Sequence, residues 1–404
     1  MAHRAITRLI RPTLALVLAT AMGPALADTN DTLNILFGAV IAHEDNLFHL
    51  PPGADPQAAL GTSSGADRAS INYLGAIVDK TYSQQHFQLD ARTTRSRYDT
   101  FKHLDFSATR YQGAWRWSAT HWLTGSLEAS QEQSLVNFAD FQDYSKLNTR
   151  SLRNKSFSID ADLTGGWHLL GKTAQLRRND TYAIVAEGNF KQDSIETGVK
   201  YVDGSGSSLA LIARTAEGEY TDRGNDPATL LDTNYEQRDA ELRANWPISA
   251  KSTLLGSLTR LKRQHAHFAQ RDFSGTAHQL GYQWKPTAKL KVELTKKREI
   301  ASYQEPSSSY AVSNDMDGAA TWAILPKLTM QLKLNTSRRD FLGAVAAVTD
   351  KRQDRFRSAQ FGMEWMPLQN LTLTANLQRD RRNSNRTSFE YEATSSSLAA
   401  QLVF

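Results

Sequence analysis

The sequence predicts an all-β chain, a transmembrane antiparallel up-and-down barrel of about eighteen strands of the outer-membrane kind. Three observations carry this. The last residues alternate apolar and polar and close on Phe404. Strand-like segments recur along the chain with no long apolar helix among them. The connections between those segments alternate between short turns and long polar stretches, as outer-membrane barrels do.

At the N-terminus, Met1–Ala27 carries Arg4, Arg8 and Arg11, then an apolar run from Leu14, then Pro24-Ala-Leu-Ala27 before Asp28. That is a charged region, a short apolar core and an A-x-A site, the pattern of a cleaved secretory signal peptide. The expected division is a signal peptide over 1–27 and one barrel domain over 28–404. The 404 residues contain no cysteine, which excludes a disulfide framework and a thiolate metal site. No stretch after the leader reaches 18 consecutive apolar residues, so no spanning helix is expected. Mean hydropathy is −0.49 and charged residues make up 22%. A barrel with a wet interior has such values, because only alternate residues meet lipid. Without the three leader arginines, the 47 Lys and Arg fall to 44, against 42 Asp and Glu. Near neutrality of this kind, with no basic run interleaved with aromatics, gives no reason to expect nucleic acid as a partner.

The clearest strands start at Phe87, Leu290, Leu328 and Leu371. Each alternates over six or more residues, which a helix with apolar spacing of three and four would not do. Short turns are expected at Gly165-Gly166, 203–206, 247–251, 286–289, Pro326-Lys327 and 367–370. Long loops are expected at 44–66, 136–150, 221–233 and 341–353. Long loops follow odd strands and short turns follow even ones, so an even count leaves both ends on the periplasmic side. Trp246, Trp284, Trp322 and Trp365 each stand near the end of an even strand, spaced by 38, 38 and 43 residues and each followed by a proline. Tryptophan there fits an interfacial girdle, and proline is expected to close the turn. A soluble propeller with a period near 40 is the competing architecture, but it explains neither the alternating loops nor the C-terminus. In that last strand Leu398, Ala400, Leu402 and Phe404 share one face and Ser397, Ala399 and Gln401 the other. An apolar outward row with a terminal aromatic is what the outer-membrane assembly machinery reads, so Phe404 is the expected contact with it. Outer-membrane lipids and lipopolysaccharide are the expected surroundings.

The same parity assigns an interior row. Asp90 and Arg92, Asp239, Glu241 and Arg243, Lys291 and Glu293, Lys333 and Arg339, and Asp380 and Arg382 are expected to face the lumen as candidate binding residues. A lumen of both charge signs can line a path for polar, uncharged polymers such as glycans. For any one residue, cross-linking of neighbouring strands is the plainer reading. No catalytic residues are expected. His265 and His267 would share a strand face, a spacing that can hold metal, but no third ligand is apparent and no metal or cofactor is expected. A lipid-acting hydrolase would need Ser or Thr beside His and an acid, and no spacing favours one. In the first long loop, Leu47, Phe48 and Leu50 stand among turn residues. Such a segment either folds inward as a constriction or stays at the surface on a local staple.

Several segments together resemble a known family. They are Asp31–Asn34, Asp45-Asn-Leu-Phe48 with Leu50-Pro51, Tyr82–Ala91, Leu104–Phe106, Tyr111–Trp117 and Gly206–Leu211. The resemblance is to the EpsL-type barrel porins of exopolysaccharide loci (the beta-barrel porin 2 group). It runs from Asp31 to the C-terminus and is densest before residue 220. Glu44 and His49 depart from the family pattern, where Asp and Arg are expected. The resemblance implies a part in biosynthesis or export of an extracellular polysaccharide, as conduit or accessory, with the polymer and its exosortase-associated secretion components as partners. The alternatives are a general or small-solute porin and, third, a barrel enzyme acting on lipid or glycan.

Overall fold

The computed structural model describes residues 32–346 and 351–404; the expected signal peptide lies outside them. Eighteen antiparallel strands follow one another in a closed meander. They are β1 (Leu33–Glu44), β2 (Asp67–Tyr82), β3 (Gln85–Tyr98), β4 (Phe106–Ser118), β5 (Leu123–Leu135), β6 (Thr149–Asp162), β7 (Trp167–Asp180), β8 (Phe190–Val202) and β9 (Ser208–Tyr220). The second half comprises β10 (Asn234–Ser249), β11 (Ser252–His265), β12 (Phe273–Thr287), β13 (Leu290–Glu305), β14 (Ser308–Leu325), β15 (Leu328–Leu342), β16 (Gln353–Leu368), β17 (Leu371–Ser384) and β18 (Tyr391–Val403). β1 pairs with both β2 and β18, which removes the free edges an open sheet would expose. The last closing bonds are made by the C-terminal residue itself. Ile35 N donates to Phe404 O at 2.7 Å and Phe404 N to Ile35 O at 2.9 Å, while the Phe404 ring meets Phe37 edge-on at 6.1 Å.

The two faces separate as the alternation predicts. Leu398, Leu402 and Phe404 are exposed on the outer face, and Ser397 and Gln401 are buried inside. Trp246, Trp284, Trp322 and Trp365 are all exposed, forming an outer girdle near the short turns. The prolines that follow three of them do not close the turns. Pro247, Pro286 and Pro367 lie inside their strands, one or two residues before the strand ends that lead into two-residue turns at 250–251, 288–289 and 369–370. The register shifts beside each, between Pro247 and Ser249, Trp284 and Thr287, and Trp365 and Leu368. An irregularity of this kind leaves a backbone N–H outside the ladder, and proline has none to lose.

Glycines make room inside the wall. A side-chain carbon on Gly38 would lie 2.0 Å from the Tyr73 ring, and one on Gly218 would lie 2.0 Å from the Tyr235 ring. The phenol end of each tyrosine fills the space over its glycine, and its hydroxyl donates inward, Tyr73 to Gln401 at 3.0 Å and Tyr235 to Gln192 at 2.9 Å.

Candidate functional site

The lumen differs at its two ends. Near the short turns, which mark the periplasmic side, inward side chains meet water; Lys291 and Glu293 are 41% and 37% exposed. At the opposite end Arg382 and Asp354 are fully buried. The long loops cause the difference. L1 (45–66), L3 (136–148), L4 (181–189) and L5 (221–233) fold over or into the barrel.

L1 is organised by its own side chains. Asn46 accepts from Leu50 N and donates to Leu50 O, at 2.9 and 3.0 Å, and it donates to Glu392 O on β18 at 2.9 Å. A short helix α1 (Pro56–Leu60) is capped by Asp55, which accepts from Gln57 N, and ends on Gly61 in the left-handed region. The tight loop turns Leu47, Phe48 and Leu50 inward. They join Val40, Ile71, Tyr73 and Tyr98 from the inner wall in one buried cluster. Phe48 is fully buried against Phe101 at 4.6 Å and Phe138 of L3 at 4.7 Å. Of the two placements open for this segment, inward folding is the one adopted.

Glu44 and His49, the departures from the family pattern, meet each other. His49 Nε2 lies 3.1 Å from Glu44 Oε1 and His49 Nδ1 lies 2.8 Å from Asn137 Oδ1. That Asn137 oxygen also accepts from Ala139 N, which fixes the amide orientation. With Glu44 ionised, both ring nitrogens face acceptors, an arrangement that the doubly protonated ring satisfies. Burial favours the neutral ring, but Glu44 and Asn137 outweigh it and raise the His49 pKa. Tyr391 stacks on the ring at 4.0 Å.

L3 leaves the wall between β5 and β6 and reaches the far side. Asp140 Oδ1 lies 3.0 Å from Arg382 Nη1 on β17 and 3.3 Å from Arg352 Nη2 in L8 (343–352). Both arginines also hold Asp354 on β16, at 2.6 and 3.0 Å. The aromatic ring of Phe389 lies 3.5 Å from the Arg352 guanidinium. Burial opposes ionisation of Asp140, yet Arg382 and Arg352 hold its carboxyl well below the usual range. L4 makes the parallel crossing from β7 and β8 to β13–β15. Ala186 packs on Tyr303, Ala311 and Phe341, and Ala186 O accepts from Gln304 N at 2.7 Å. Glu187, also in L4, is held by Arg150 and Arg178, each at 2.9 Å. L5 adds Arg223, which donates to Gln304 Oε1 at 2.8 Å and to Val185 O at 3.0 Å.

The sequence-derived lumen residues stand on inward rows of β3, β10, β13, β15 and β17 and do not converge on one constellation. Most pair with the next inward residue on their own strand. Arg92 holds Asp90 at 2.8 Å, Arg243 holds Glu241 at 2.9 Å and Lys291 holds Glu293 at 2.9 Å. Asp239 accepts from Arg214 of β9 at 3.0 Å and Arg339 donates to Ser313 of β14 at 3.3 Å. Lys333 sits on the same inward row of β15 as Arg339. Asp380 accepts from Gln378 at 2.6 Å, and Arg382 joins the L3 anchor. Arg382 forms an ion pair with a loop residue, Asp140; Asp140, Arg352 and Asp354 were not legible as its partners. The one available signal was Arg352-Gln-Asp354, an i, i+2 pair where a loop enters a strand.

His265 and His267 do not share a face. β11 ends at His265, which turns inward to Gln304 at 3.0 Å. His267 lies in L6 (266–272) and bonds Asp232 of L5 at 3.0 Å. Asp232 also accepts from the backbone N–H groups of His267, Phe268 and Asn234. Its pKa is lowered to about 2: burial works against the charge, and the His267 side chain and these donors outweigh it. Among the described residues, no group of three or more His, Cys, Asp or Glu is placed to hold a metal ion.

A family model described as "Putative beta-barrel porin 2" matches residues 260–404. No curated protein matches the chain. Among solved structures, OccK2 (OpdF) of Pseudomonas aeruginosa in complex with glucuronate is similar over 92% of this chain and 96% of its own, with 12% identity and a TM-score of 0.50. OpdK with vanillate, from the same organism, covers 92% and 99% with 12% identity and a TM-score of 0.49. OprD, also from Pseudomonas aeruginosa, covers 92% and 93% with 13% identity and a TM-score of 0.48. At such identities the likeness is one of fold: a closed eighteen-stranded barrel of outer-membrane porin architecture.

Proposed function

We propose that this protein is an outer-membrane porin for small polar solutes, with passage limited at the extracellular mouth by docked loops. The observation that carries the reading is the crossing of the lumen by L3, pinned by Asp140 to Arg382 and Arg352. Below that crossing the wall is wet and lined with paired charges of both signs, so a solute meets hydrogen-bonding partners without a net field. Apolar lining would instead favour dewetting.

A reconstituted barrel should conduct ions in planar bilayers. In liposome swelling it should admit monosaccharides and small organic acids and exclude long oligosaccharides. Glucuronate, the ligand of one similar barrel, is a suitable first solute. No ion conductance from a correctly folded barrel, or free passage of long glycans, would overturn the reading. An exopolysaccharide conduit, which the family resemblance implies, is the reading set second here, because a polymer would have to thread a mouth narrowed by docked loops. Loss of secreted polymer in a deletion strain with normal small-solute uptake would restore it.

A further inference from the structure

We propose that the outer face of β15–β17, just above the apolar band, is a binding site for the phosphorylated glycolipid of the outer leaflet, lipopolysaccharide. The inference rests on the barrel's membrane setting and not on what passes through its lumen.

The site is built from arginines that the fold sets against each other. Arg338 of β15 stands directly opposite Arg355 of β16, and Arg357 of β16 stands directly opposite Arg381 of β17. All four are exposed on the outer face. Like charges in directly opposed positions have Cβ atoms about 5 Å apart and destabilise the sheet. Acidic neighbours offset only part of this. Asp340 reaches Arg338 at 3.2 Å, and Glu392 reaches Arg381 at 3.1 Å. The side chains of Arg355 and Arg357 make no hydrogen bond or ion pair among the described residues. The cluster therefore carries uncompensated positive charge that an external anion would neutralise.

Its height identifies the anion. Along β16 the outward row continues from Arg355 and Arg357 to Phe361, Met363 and Trp365, all exposed to lipid. On β15 Leu334 and Leu332 follow Arg338 in the same way. The arginines thus begin where the greasy band stops on the extracellular side, at the level of outer-leaflet head groups. The opposition recurs elsewhere at that level, at Arg153 facing Arg177 and Arg238 facing Lys262, again on the outer face. Guanidinium groups suit phosphate because their paired donors bind two oxygens at once. A cleft of about 670 Å³ between L1 and the ends of β17 and β18, walled by Arg381, Asn383 and Glu392, offers space for sugars attached to the phosphate.

The test uses the folded full-length barrel in detergent, titrated with purified lipopolysaccharide and followed by native mass spectrometry. Binding of the intact glycolipid is expected, with much weaker binding of the same glycolipid after dephosphorylation and of inorganic phosphate alone. Each outward arginine changed to glutamine should weaken binding about fivefold, so the triple variant Arg355→Gln, Arg357→Gln, Arg381→Gln should lose about a hundredfold. The corresponding triple lysine variant should keep most of the affinity. Equal binding of the intact and dephosphorylated glycolipids by the unaltered protein would overturn the proposal without any variant. Inorganic phosphate binding as tightly as the glycolipid, or full affinity in a triple glutamine variant that remains heat-modifiable, would also overturn it.

Discussion

Replacing Asp140 with alanine should free the tip of L3 and open the extracellular mouth. In the intact protein two buried arginines, Arg352 and Arg382, share two carboxylates, Asp140 and Asp354, and the four side chains are between 0% and 8% exposed. Without Asp140 the two cations are left with Asp354 alone. Breaking a buried pair by removing one partner costs about 3–5 kcal/mol. The lower end applies, because Asp354 remains 2.6 Å from one guanidinium and 3.0 Å from the other. About 3 kcal/mol corresponds to roughly a 150-fold change in the ratio of released to docked loop. Phe138 stays packed on Phe48, so the motion is confined to residues beyond it. Single-channel recording reads this directly: the variant should occupy a higher-conductance substate about two decades more often. Asp99→Ala is the control. Its pair with Arg68 is 48–60% exposed, so its loss should cost about 0–1 kcal/mol and leave conductance unchanged. Wild-type conductance and substate occupancy in a folded Asp140→Ala barrel would refute the reasoning.

Deleting Phe404, or Leu402→Asp, should lower outer-membrane levels and leave periplasmic fragments on immunoblots, since both sit on the outward row of the closing strand, where an acid near the periplasmic interface costs less than the roughly 2–4 kcal/mol of Arg or Lys at the midplane. Leu332→Arg should be severe, by roughly 2–4 kcal/mol, and Lys333→Gln mild, because the first puts a charge in lipid and the second alters an inward polar group; fold yield after refolding into vesicles measures both. The raised pKa of His49 sets the sign of a pH effect: its contribution to L1 docking is fully present below the unfolded value, about 6.5, and is lost as pH rises through the higher folded value. Protection factors of residues 45–50, taken relative to the base-catalysed intrinsic exchange rate, should therefore be higher at pH 6 than at pH 9, and His49→Phe should abolish that difference.

The barrel itself was legible in the sequence because lipid imposes a rule on every strand. Alternate residues must be apolar, each backbone group must pair and no edge can remain, so period two, loop alternation and Trp246, Trp284, Trp322 and Trp365 all encode the same architecture. The inward parity of Asp90, Glu241, Lys291 and Arg382 follows from that one rule. The mouth obeys no such rule. Asp140 and Arg382 are 242 positions apart, and Ala186 meets Phe341 across the lumen, contacts fixed by where L3 and L4 land after closure. Local spacing carries no information about such partners. L1 was ambiguous for the same reason: Phe48 is apolar in either placement, and only the pocket formed by Phe101, Phe138 and Tyr144 draws it inward. The turn prolines and the His265–His267 pair show the smaller limit. A strand that stops at His265, or shifts register beside Pro247, changes which way the next residue points, and that is decided by pairing with the neighbouring strand.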